Sequence, residues 1–133
     1  MQITKQADYA VRAVMYLSAH GRRHRMATNK IAMDQKIPLS FLAKIISQLS
    51  IAGVVHTMRG AKGGVTLSRP ASEISLLDVV EAIDGPITLN ECVLDASVCP
   101  FGENCKVHEV WCEAHTDLMN KLGATDFQTL VSG

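Results

Sequence analysis

Apolar residues recur at helical spacing in three short runs at the start of this 133-residue chain. The first run ends at Gly21, and the second ends before the Ile37-Pro38 step, because the residue before a proline disfavours helical backbone. The third run begins after the proline and closes at Gly53. Two short helices joined by a tight turn are typical of a helix-turn-helix, so the second and third runs predict that motif.

Hydroxyl side chains stand at the start of each run. We expect Thr4, Thr28 and Ser40 to be the N-caps of the three helices, since their oxygens can accept a bond from a free backbone N–H group. The predicted core faces are Ala7, Ala10, Val11, Val14 and Leu17 in the first helix, Ile31 and Ala32 in the second, and Leu42, Ile45, Ile46 and Leu49 in the third. These faces predict one small helical core.

A glycine-rich turn between two β-rich stretches follows the third helix. Residues 54–57 (VVHT) and 65–67 (VTL) flank the segment RGAKGG at 59–64, which predicts a β-hairpin. A hairpin after a helix-turn-helix is the wing of a winged helix. The G-x-x-x-x-G-K-[ST] pattern of nucleotide-binding loops is absent, so this turn is not expected to bind nucleotides.

The second half of the chain predicts further helices. Ser75 and Asp78 have the spacing of a capping box and predict a helix that ends at Gly85-Pro86. Residues 92–105 (CVLDASVCPFGENC) show no helical or strand period and predict a loop. A longer helix is expected over about 106–122, and a short last helix near Thr125. The stripe of the longer helix suits packing against another helix and consists of Val107, Trp111, Ala114, Leu118 and Leu122.

The overall composition is that of a globular protein, with 47% hydrophobic and 20% charged residues. No run approaches the roughly 18 apolar residues of a membrane span. The opening MQITKQADYAV lacks the layout of a signal peptide, so we expect a soluble, cytoplasmic protein that does not associate with membranes. Thiols are kept reduced in that compartment, which favours metal or redox chemistry for the four cysteines over disulfides.

Charge divides the chain into two unlike halves, although the formal net charge is zero. Residues 1–70 hold eleven Lys and Arg against two acidic residues, whereas residues 71–133 hold two lysines against eleven acidic residues. The first half, at +9, is suited to a polyanion, and the second, at −9, is not. This division favours double-stranded DNA as the ligand of the predicted winged helix.

The second helix of a helix-turn-helix enters the major groove with its N-terminal residues nearest the bases. The residues expected to contact DNA are Ser40, Phe41, Ala43, Lys44 and Gln48 in that helix and Arg59 and Lys62 in the wing. The alternatives are that Phe41 belongs to the core and that Lys44 and Arg59 are ordinary exposed side chains.

Three cysteines and a histidine form the second candidate site. Cys92, Cys99 and Cys105 are separated by six and five residues, and His108 follows the last of them by three. Thiolates and imidazole suit zinc or an iron-sulfur cluster, and the wide spacing favours the cluster because zinc sites usually contain close C-x₂-C pairs.

Cysteines and histidines also alternate along the predicted long helix, at Cys105, His108, Cys112 and His115. One metal cannot bind all four, since ten residues of helix span about 15 Å. Cys105 with His108 is the expected ligand pair, and Cys112 is expected to lie in a packed surface beside Trp111. The remaining histidines, His20, His24, His56 and His115, are interpreted as ordinary core or surface residues.

The chain resembles the bacterial iron-sulfur transcription regulators of the IscR/NsrR family over nearly its whole length. The motifs that carry the resemblance are the opening T-x-x-A-D-Y-A-V-R, the hairpin R-G-x-x-G-G and the cysteine order C…CPFGENC. The resemblance implies a homodimer held by the long helix, a palindromic operator and a cluster bound by the three cysteines. The fourth ligand would be His108, as in IscR-like members, or Asp8 of the partner subunit, as in NsrR-like members.

Two positions depart from the family pattern. The first two cysteines are one residue further apart than in the family. Ala43 stands where IscR-like members carry an acidic residue in the reading helix, which is the second helix of the helix-turn-helix. The operator sequence therefore does not carry over from the resemblance.

Taken together, these features predict a mainly α fold with a small β-hairpin: a winged helix-turn-helix DNA-binding domain plus a long C-terminal dimerisation helix. The expected divisions are a DNA-binding domain over 1–85, a cluster-binding loop over 86–105, and the dimerisation and last helices over 106–133. We expect a transcription regulator, a repressor, controlled by a [2Fe-2S] or [4Fe-4S] cluster that senses iron, oxidants or nitric oxide. The rivals are a regulator of the same fold that uses a thiol-disulfide switch or zinc, and an electron carrier or iron-sulfur enzyme.

Overall fold

The computed structural model describes residues 2–21, 25–60, 63–89, 93 and 105–132. Within these residues the elements are α1 Lys5–His20, α2 Thr28–Gln35, α3 Leu39–Ile51, β1 Val55–Met58, β2 Gly64–Leu67, a 3₁₀ turn Ala71–Glu73, α4 Leu76–Asp84, α5 His108–Ala124 and α6 Phe127–Ser132. The mainly α architecture with one hairpin is as predicted. The predicted loop at 92–105 lies almost wholly outside the described residues.

The ends of α1 and α4 are set by the residues that the sequence indicates. Thr4 caps α1 by accepting the N–H of Ala7 at 3.1 Å, and Gly21 ends the helix with a φ of 86°. In the capping box of α4, the Ser75 hydroxyl accepts the N–H of Asp78 and the Asp78 carboxylate accepts the N–H of Ser75, both at 3.0 Å. Capping was therefore predicted correctly for both helices.

The predicted N-caps of the next two helices, α2 and α3, were wrong. Ala27 and Pro38 occupy the N-cap positions of α2 and α3, and neither makes a side-chain cap bond. Pro38 has extended backbone, and its carbonyl oxygen accepts the N–H groups of Phe41 and Leu42, so α3 starts one residue before Ser40. A rigid proline next to the helix thus decides the start, and Ser40 lies inside the first turn.

The turn between α2 and α3 depends on one residue in the left-handed conformation. Lys36 has a φ of 55°, and its N–H bonds to the Met33 carbonyl while the N–H of Ile37 bonds to the Ala32 carbonyl at 3.0 Å. This pairing is a Schellman motif, which satisfies the last carbonyls of α2. Ile37 is buried directly after it.

Helices α1, α2 and α3, which together with the hairpin we call the head, enclose a common core. Its α3 members are the predicted Leu42, Ile45, Ile46 and Leu49, none more than 5% exposed. They pack with α1 and α2 residues in one buried cluster that includes Ala10, Val14, Leu17 and Ile31. Each such aliphatic side chain contributes about 1.5–3 kcal/mol on burial, so the helix-turn-helix is held mainly by this contact.

The hairpin is antiparallel, with Val55 opposite Leu67 and Met58 opposite Gly64. On its other edge, β2 pairs with Met26: the two N–H···O bonds between Met26 and Val65 measure 3.0 and 2.8 Å. A Cβ atom at Gly64, whose φ is 145°, would lie 2.9 Å from the Met26 oxygen. Glycine is therefore needed at position 64, where the segment that precedes α2 runs close beside β2.

The C-terminal helix returns to the head. Phe127, the first residue of α6, is fully buried in the same cluster as the α1 and α3 residues. Its N–H bonds to the carbonyl of Ile74 at 3.1 Å, and the N–H of Leu76 bonds to the carbonyl of Thr125 at 2.8 Å. Residues from both ends of the chain thus share one core.

The predicted stripe of α5 is divided between two environments. Leu118 and Leu122 pack, with Met119, on a small cluster formed by Ala7 of α1, Val80 of α4 and Ile87. At the amino end, Val107 is 47% exposed and Trp111 is 39% exposed. Half of the stripe therefore attaches α5 to its own head, and half stays uncovered in the described chain. None of the described helices is long and apolar enough to cross a membrane.

Candidate functional sites

The outer face of α3 is open to solvent and polar. Ser40, Ala43, Lys44 and Ser47 are exposed on the side opposite the core residues. Phe41 is 46% exposed, so it is not a core residue. Gln48 is half-buried, and its Oε1 atom is buried without a hydrogen-bond partner in the described chain. The structure therefore brings all five predicted α3 residues to the outer face or its margin.

An apolar groove beside this face was missed in the sequence analysis. It is lined by Ala32, Met33, Ile37 and Leu39, together with Asn29. Met33 of α2 is 78% exposed and Leu39, the first residue of α3, is 48% exposed, so two large apolar side chains face solvent side by side. Spacing did not indicate this groove, because Leu39 lies three residues before the buried Leu42, as a core residue would.

A polar cluster anchors α2 to α1. The Tyr16 hydroxyl donates to the Asp34 carboxylate, and Lys30 Nζ lies 3.0 Å from the same oxygen. The hydrogen bond from Tyr16, followed by that from Lys30, lowers the pKa of Asp34 below its usual 3.8. The bond to Asp34 in turn raises the pKa of Tyr16 and that of Lys30. The His20 ring packs on Tyr16 with centroids 4.3 Å apart.

A guanidinium group attaches α2 to α1 at a second point. Arg12 of α1 donates to the main-chain oxygen of Gln35, the last residue of α2. Its other terminal nitrogen lies 4.0 Å from Asp8. The bond to Gln35 joins α1 to α2, against which α3 is packed, whereas the Asp8 contact lies within α1.

Arg69 fixes the base of the wing. Its guanidinium donates to the carbonyl of Gly53 at 3.0 Å, to the carbonyl of Glu73 at 3.1 Å and to Asp78 at 3.3 Å. Ser68 donates to the same Gly53 oxygen. The end of α3, the end of the hairpin and the start of α4 are therefore connected through one side chain, which sequence reasoning did not single out.

The tip of the wing is partly described. Arg59 is exposed directly after β1, whereas Lys62 lies outside the described residues. The N–H of Gly63 bonds to the carbonyl of Gly60 at 2.9 Å. A Cβ atom at Gly63 would overlap the main-chain oxygen of Met58, so this tight turn requires glycine there.

Two of the four predicted metal-binding residues of the cysteine site are described. Cys105 is half-buried just before α5, and His108, the first residue of α5, donates its backbone N–H to the Cys105 carbonyl at 3.1 Å. Cys92 and Cys99 lie outside the described residues. Among the residues that the structure describes, no three His, Cys, Asp or Glu side chains form a metal site.

The imidazole of His108 faces a second thiol. Its Nε2 atom lies 3.5 Å from Sγ of Cys112, one turn further along α5. Its Nδ1 atom is buried and has no hydrogen-bond partner in the described chain, and the same holds for Nδ1 of His115. The structure therefore leaves one nitrogen of His108 available as a ligand.

Asp8 lies at the other end of α5. It lines an apolar groove of about 270 Å³ together with Val11 of α1 and with Leu118 and Leu122 of α5. Leu118 is ten residues from His108 along a continuous helix, a separation of about 15 Å. Asp8 and the Cys105–His108 turn of one chain are thus far apart.

The family of the chain follows from its sequence as a whole. The sequence model of the Rrf2 family, described as an iron-dependent transcriptional regulator, matches residues 3–133. The chain belongs to the Rrf2 family. It is therefore a DNA-binding transcriptional regulator and not an enzyme, which confirms the predicted class.

Individual relatives agree with the Rrf2 assignment. Protein aau3 of Rhizobium meliloti is 42% identical over 106 residues, which cover 79% of this chain and 68% of that protein. The transcriptional regulator IscR of Xenorhabdus nematophila is 29% identical over 131 residues, covering 98% of this chain and 79% of that protein.

Solved structures share the Rrf2 winged-helix fold. CymR of B. subtilis, described as a global cysteine regulator, superposes with a TM-score of 0.85 at 24% identity, covering 99% of this chain and 97% of that one. IscR of T. potens superposes with a TM-score of 0.73 at 22% identity, covering 98% and 86%. These likenesses confirm the predicted fold class.

Proposed function

We propose that this Rrf2 protein is a dimeric repressor whose binding to a palindromic operator is controlled by an iron-sulfur cluster at the amino end of α5. The observation that carries the proposal is the pairing of Cys105 and His108 in one turn of a helix whose other half packs on the DNA-binding head. Helix α4 packs against both α5 and α3. Ala7 of α1, which also packs against α3, belongs to the small cluster that Leu118 and Leu122 of α5 cover. A structural change at the cysteine site would therefore reach the reading helix, α3, through helices that pack against each other.

The residues present fit an iron-sulfur cluster. The proposed ligands are the thiolates of Cys92, Cys99 and Cys105 and the imidazole of His108, within a cluster-binding segment at 86–105. The buried Nδ1 of His108, which lacks a partner in the described chain, supplies the nitrogen. A bound cluster supplies electron-transfer and ligand-exchange chemistry, so it can report iron supply, oxidants or nitric oxide. The iron-dependent description of the family and the IscR relative support this choice.

The alternative fourth ligand is Asp8 of the partner subunit. The Asp8 side chain is 56% exposed, and its ion pair with Arg12 is long at 4.0 Å, so binding a metal would disturb little of the described structure. We place His108 first because it shares a turn with Cys105 in the same chain.

Anaerobic purification tests the cluster and its ligands. We expect a coloured protein with matching iron and sulfide, a changed absorption spectrum in His108→Ala and a wild-type spectrum in Asp8→Ala. The opposite pattern in the two variants would move the fourth ligand to the partner subunit. A colourless protein that resists reconstitution and contains zinc would contradict the proposal.

The DNA-reading surface is proposed from exposure and charge. The N-terminal face of α3 supplies Ser40, Phe41, Ala43 and Lys44, with Gln48 one turn on, and the wing supplies Arg59 and Lys62. Serine, lysine and glutamine can hydrogen-bond to base edges or phosphates, and the exposed Phe41 ring can contact a thymine methyl group. The basic half of the chain provides the phosphate attraction.

A salt titration distinguishes basic side chains that contact DNA phosphates from those that do not. Neutralising Arg59 should reduce the slope of log affinity against log salt by about 1, because one released counterion is lost. Lys121→Ala, on α5 in the acidic half, is the matched control and should leave the slope unchanged. An unchanged slope in Arg59→Ala would remove Arg59 from the proposed surface.

The dimer is proposed on the exposed half of the α5 stripe. Val107, Val110 and Trp111 are each at least 39% exposed near its amino end. A second copy would cover these residues and place two reading helices on half-sites about 34 Å apart, one turn of DNA.

A cluster-free thiol switch is the second candidate. It is favoured by the contact between Cys112 and the imidazole of His108, since a neighbouring imidazole can activate a thiol. One solved CymR structure, from Staphylococcus aureus, is described as an oxidized form, and this chain superposes on it with a TM-score of 0.77. Operator binding that responds to a thiol oxidant in iron-free protein, and recovers with dithiothreitol, would favour this function.

A further inference from the structure

The thiol of α5, that of Cys112, has a role in neither the proposed ligand set nor the head. Cys112 is half-buried, and the atom that its sulfur contacts is Nε2 of His108, at 3.5 Å. This separation is within the range of hydrogen bonds to sulfur. The two residues are four apart on a regular helix, so the contact is set by the backbone and does not require the cysteine loop.

The two nitrogens of the His108 ring are in different surroundings. Nε2 faces the Cys112 sulfur, whereas Nδ1 is buried without a partner in the described chain. A neutral imidazole carries one proton, and only the nitrogen without that proton can bind a metal. Metal-binding histidines almost always donate their other N–H to a nearby acceptor, which fixes the tautomer and the ring orientation.

We infer that Cys112 is a positioning residue for His108: it accepts a hydrogen bond from Nε2–H and so leaves Nδ1 as the nitrogen that binds cluster iron. The binding of cluster iron by Nδ1 rests on the proposed function. The hydrogen bond between Cys112 and His108, and the tautomer that it fixes, are properties of the cluster-free protein. Cys112 itself is not a cluster ligand in this arrangement.

The cluster-free protein gives the first test. Long-range ¹H–¹⁵N correlation spectra of the histidine side chains, assigned with His108→Ala, should show Nε2–H and unprotonated Nδ1 in wild type. The Nε2–H proton should exchange slowly in wild type and in Cys112→Ser, which keeps an acceptor, and be lost to exchange in Cys112→Ala. A wild-type ring with the proton on Nδ1, or an Nε2–H signal that is unchanged in Cys112→Ala, would overturn the inference.

The reconstituted protein gives the second test. With histidine labelled with ¹⁵N at Nδ1 or at Nε2, pulsed electron paramagnetic resonance of the reduced cluster should show the strong coupling only for the Nδ1 label. Cluster loss to a chelator should be about 10- to 100-fold faster in Cys112→Ala and close to wild type in Cys112→Ser. Strong coupling from Nε2 would overturn the inference.

The two tests separate the inference from the proposed function. If the wild-type tautomer is as expected but no histidine coupling is found with either label, the ligand role of His108 is wrong, while the hydrogen bond to Cys112 is supported. Circular dichroism of each variant shows whether α5 is intact, and the serine variant shows whether any loss follows from the acceptor rather than from the shape of the side chain.

Discussion

The Arg69 guanidinium lies 3.0 Å from the main-chain oxygen of Gly53, at the point where the reading helix has just ended. The same group contacts Asp78 in the first turn of α4, and α4 packs against α5. The proposed sensing helix and the proposed reading helix are therefore connected through Arg69 and α4. This relationship supports the view that the chain transmits a signal through packing rather than through a flexible linker.

Removing this connection should affect both stability and DNA binding. We expect Arg69→Ala to lower the free energy of unfolding by about 1 kcal/mol, the typical value for a few partly exposed hydrogen bonds. Operator affinity should also fall, because the end of α3 is released. Arg69→Lys should not restore either property, since an ammonium cannot reproduce the three-way fork. Chemical denaturation and a binding titration measure the two effects; a variant with normal stability and normal affinity would contradict the assignment.

The wing should depend on the glycine at position 63. In Gly63→Ala the new methyl group would overlap the Met58 carbonyl, so the hairpin must open and operator binding should fall. The matched control is Gly123→Ala in α5, where the nearest atom is 3.6 Å away and alanine should stabilise the helix by up to about 1 kcal/mol. Binding by fluorescence anisotropy and melting curves give both results. Normal affinity in the Gly63 variant would show that the wing does not contact DNA.

The Tyr16–Asp34–Lys30 cluster should make stability depend on pH at both ends of the range. The folded protein lowers the pKa of Asp34, through Tyr16 first, so this stabilisation is present above pH 3.8 and is lost as the pH falls through the lower folded pKa. The raised pKa values of Tyr16 and Lys30 add stability that is present below pH 10.0 and 10.5 and is lost as the pH rises further.

Urea unfolding as a function of pH tests this cluster. Asp34→Asn should be less stable than wild type near neutral pH, and the difference should shrink as the pH falls below 3.8 toward the lower pKa of the folded protein, where wild type also loses the carboxylate. Tyr16→Phe, which removes only the hydroxyl, should show the same trend with a smaller amplitude. A stability difference that is constant from acid to neutral pH would show that the carboxylate charge is not involved.

The exposed half of the α5 stripe should hold the dimer. A charge at the exposed aromatic position, in Trp111→Glu, should weaken self-association at least tenfold, because buried tryptophans commonly contribute 2 kcal/mol or more to an interface, roughly a tenfold or larger effect. Asn120→Glu, about two and a half turns further along α5 and on its opposite, exposed face, is the matched control and should remain associated. Sedimentation velocity measures both, and an unaffected Trp111 variant would place the dimer elsewhere.

The local features of this fold were readable from the sequence because they depend on nearest neighbours in the chain. Gly21, Gly53 and Gly85 all adopt positive φ at the helix ends where they were expected, and the capping box of Ser75 and Asp78 is present. The core face of α3 followed from its spacing alone. Predicted caps failed at Thr28 and Ser40, because the preceding residues, including the rigid Pro38, had already set the helix starts.

The candidate sites were readable only in part. The α3 residues and the Cys105–His108 turn were identified from spacing, because the members of each group lie within a few residues of one another along the chain. Lys62, Cys92 and Cys99 lie outside the described residues, so their roles stay predictions.

By itself, the sequence determined the helix-turn-helix, the hairpin and the division into a basic and an acidic half, since each depends on local preference or on composition. Only the tertiary structure decided that Phe127 completes the core of the head, that Arg69 joins three elements, and that the α5 stripe is half covered. These contacts join residues far apart in the chain. The side chain that makes such a contact is decided by how the helices pack in three dimensions. The spacing of residues along the sequence does not encode it.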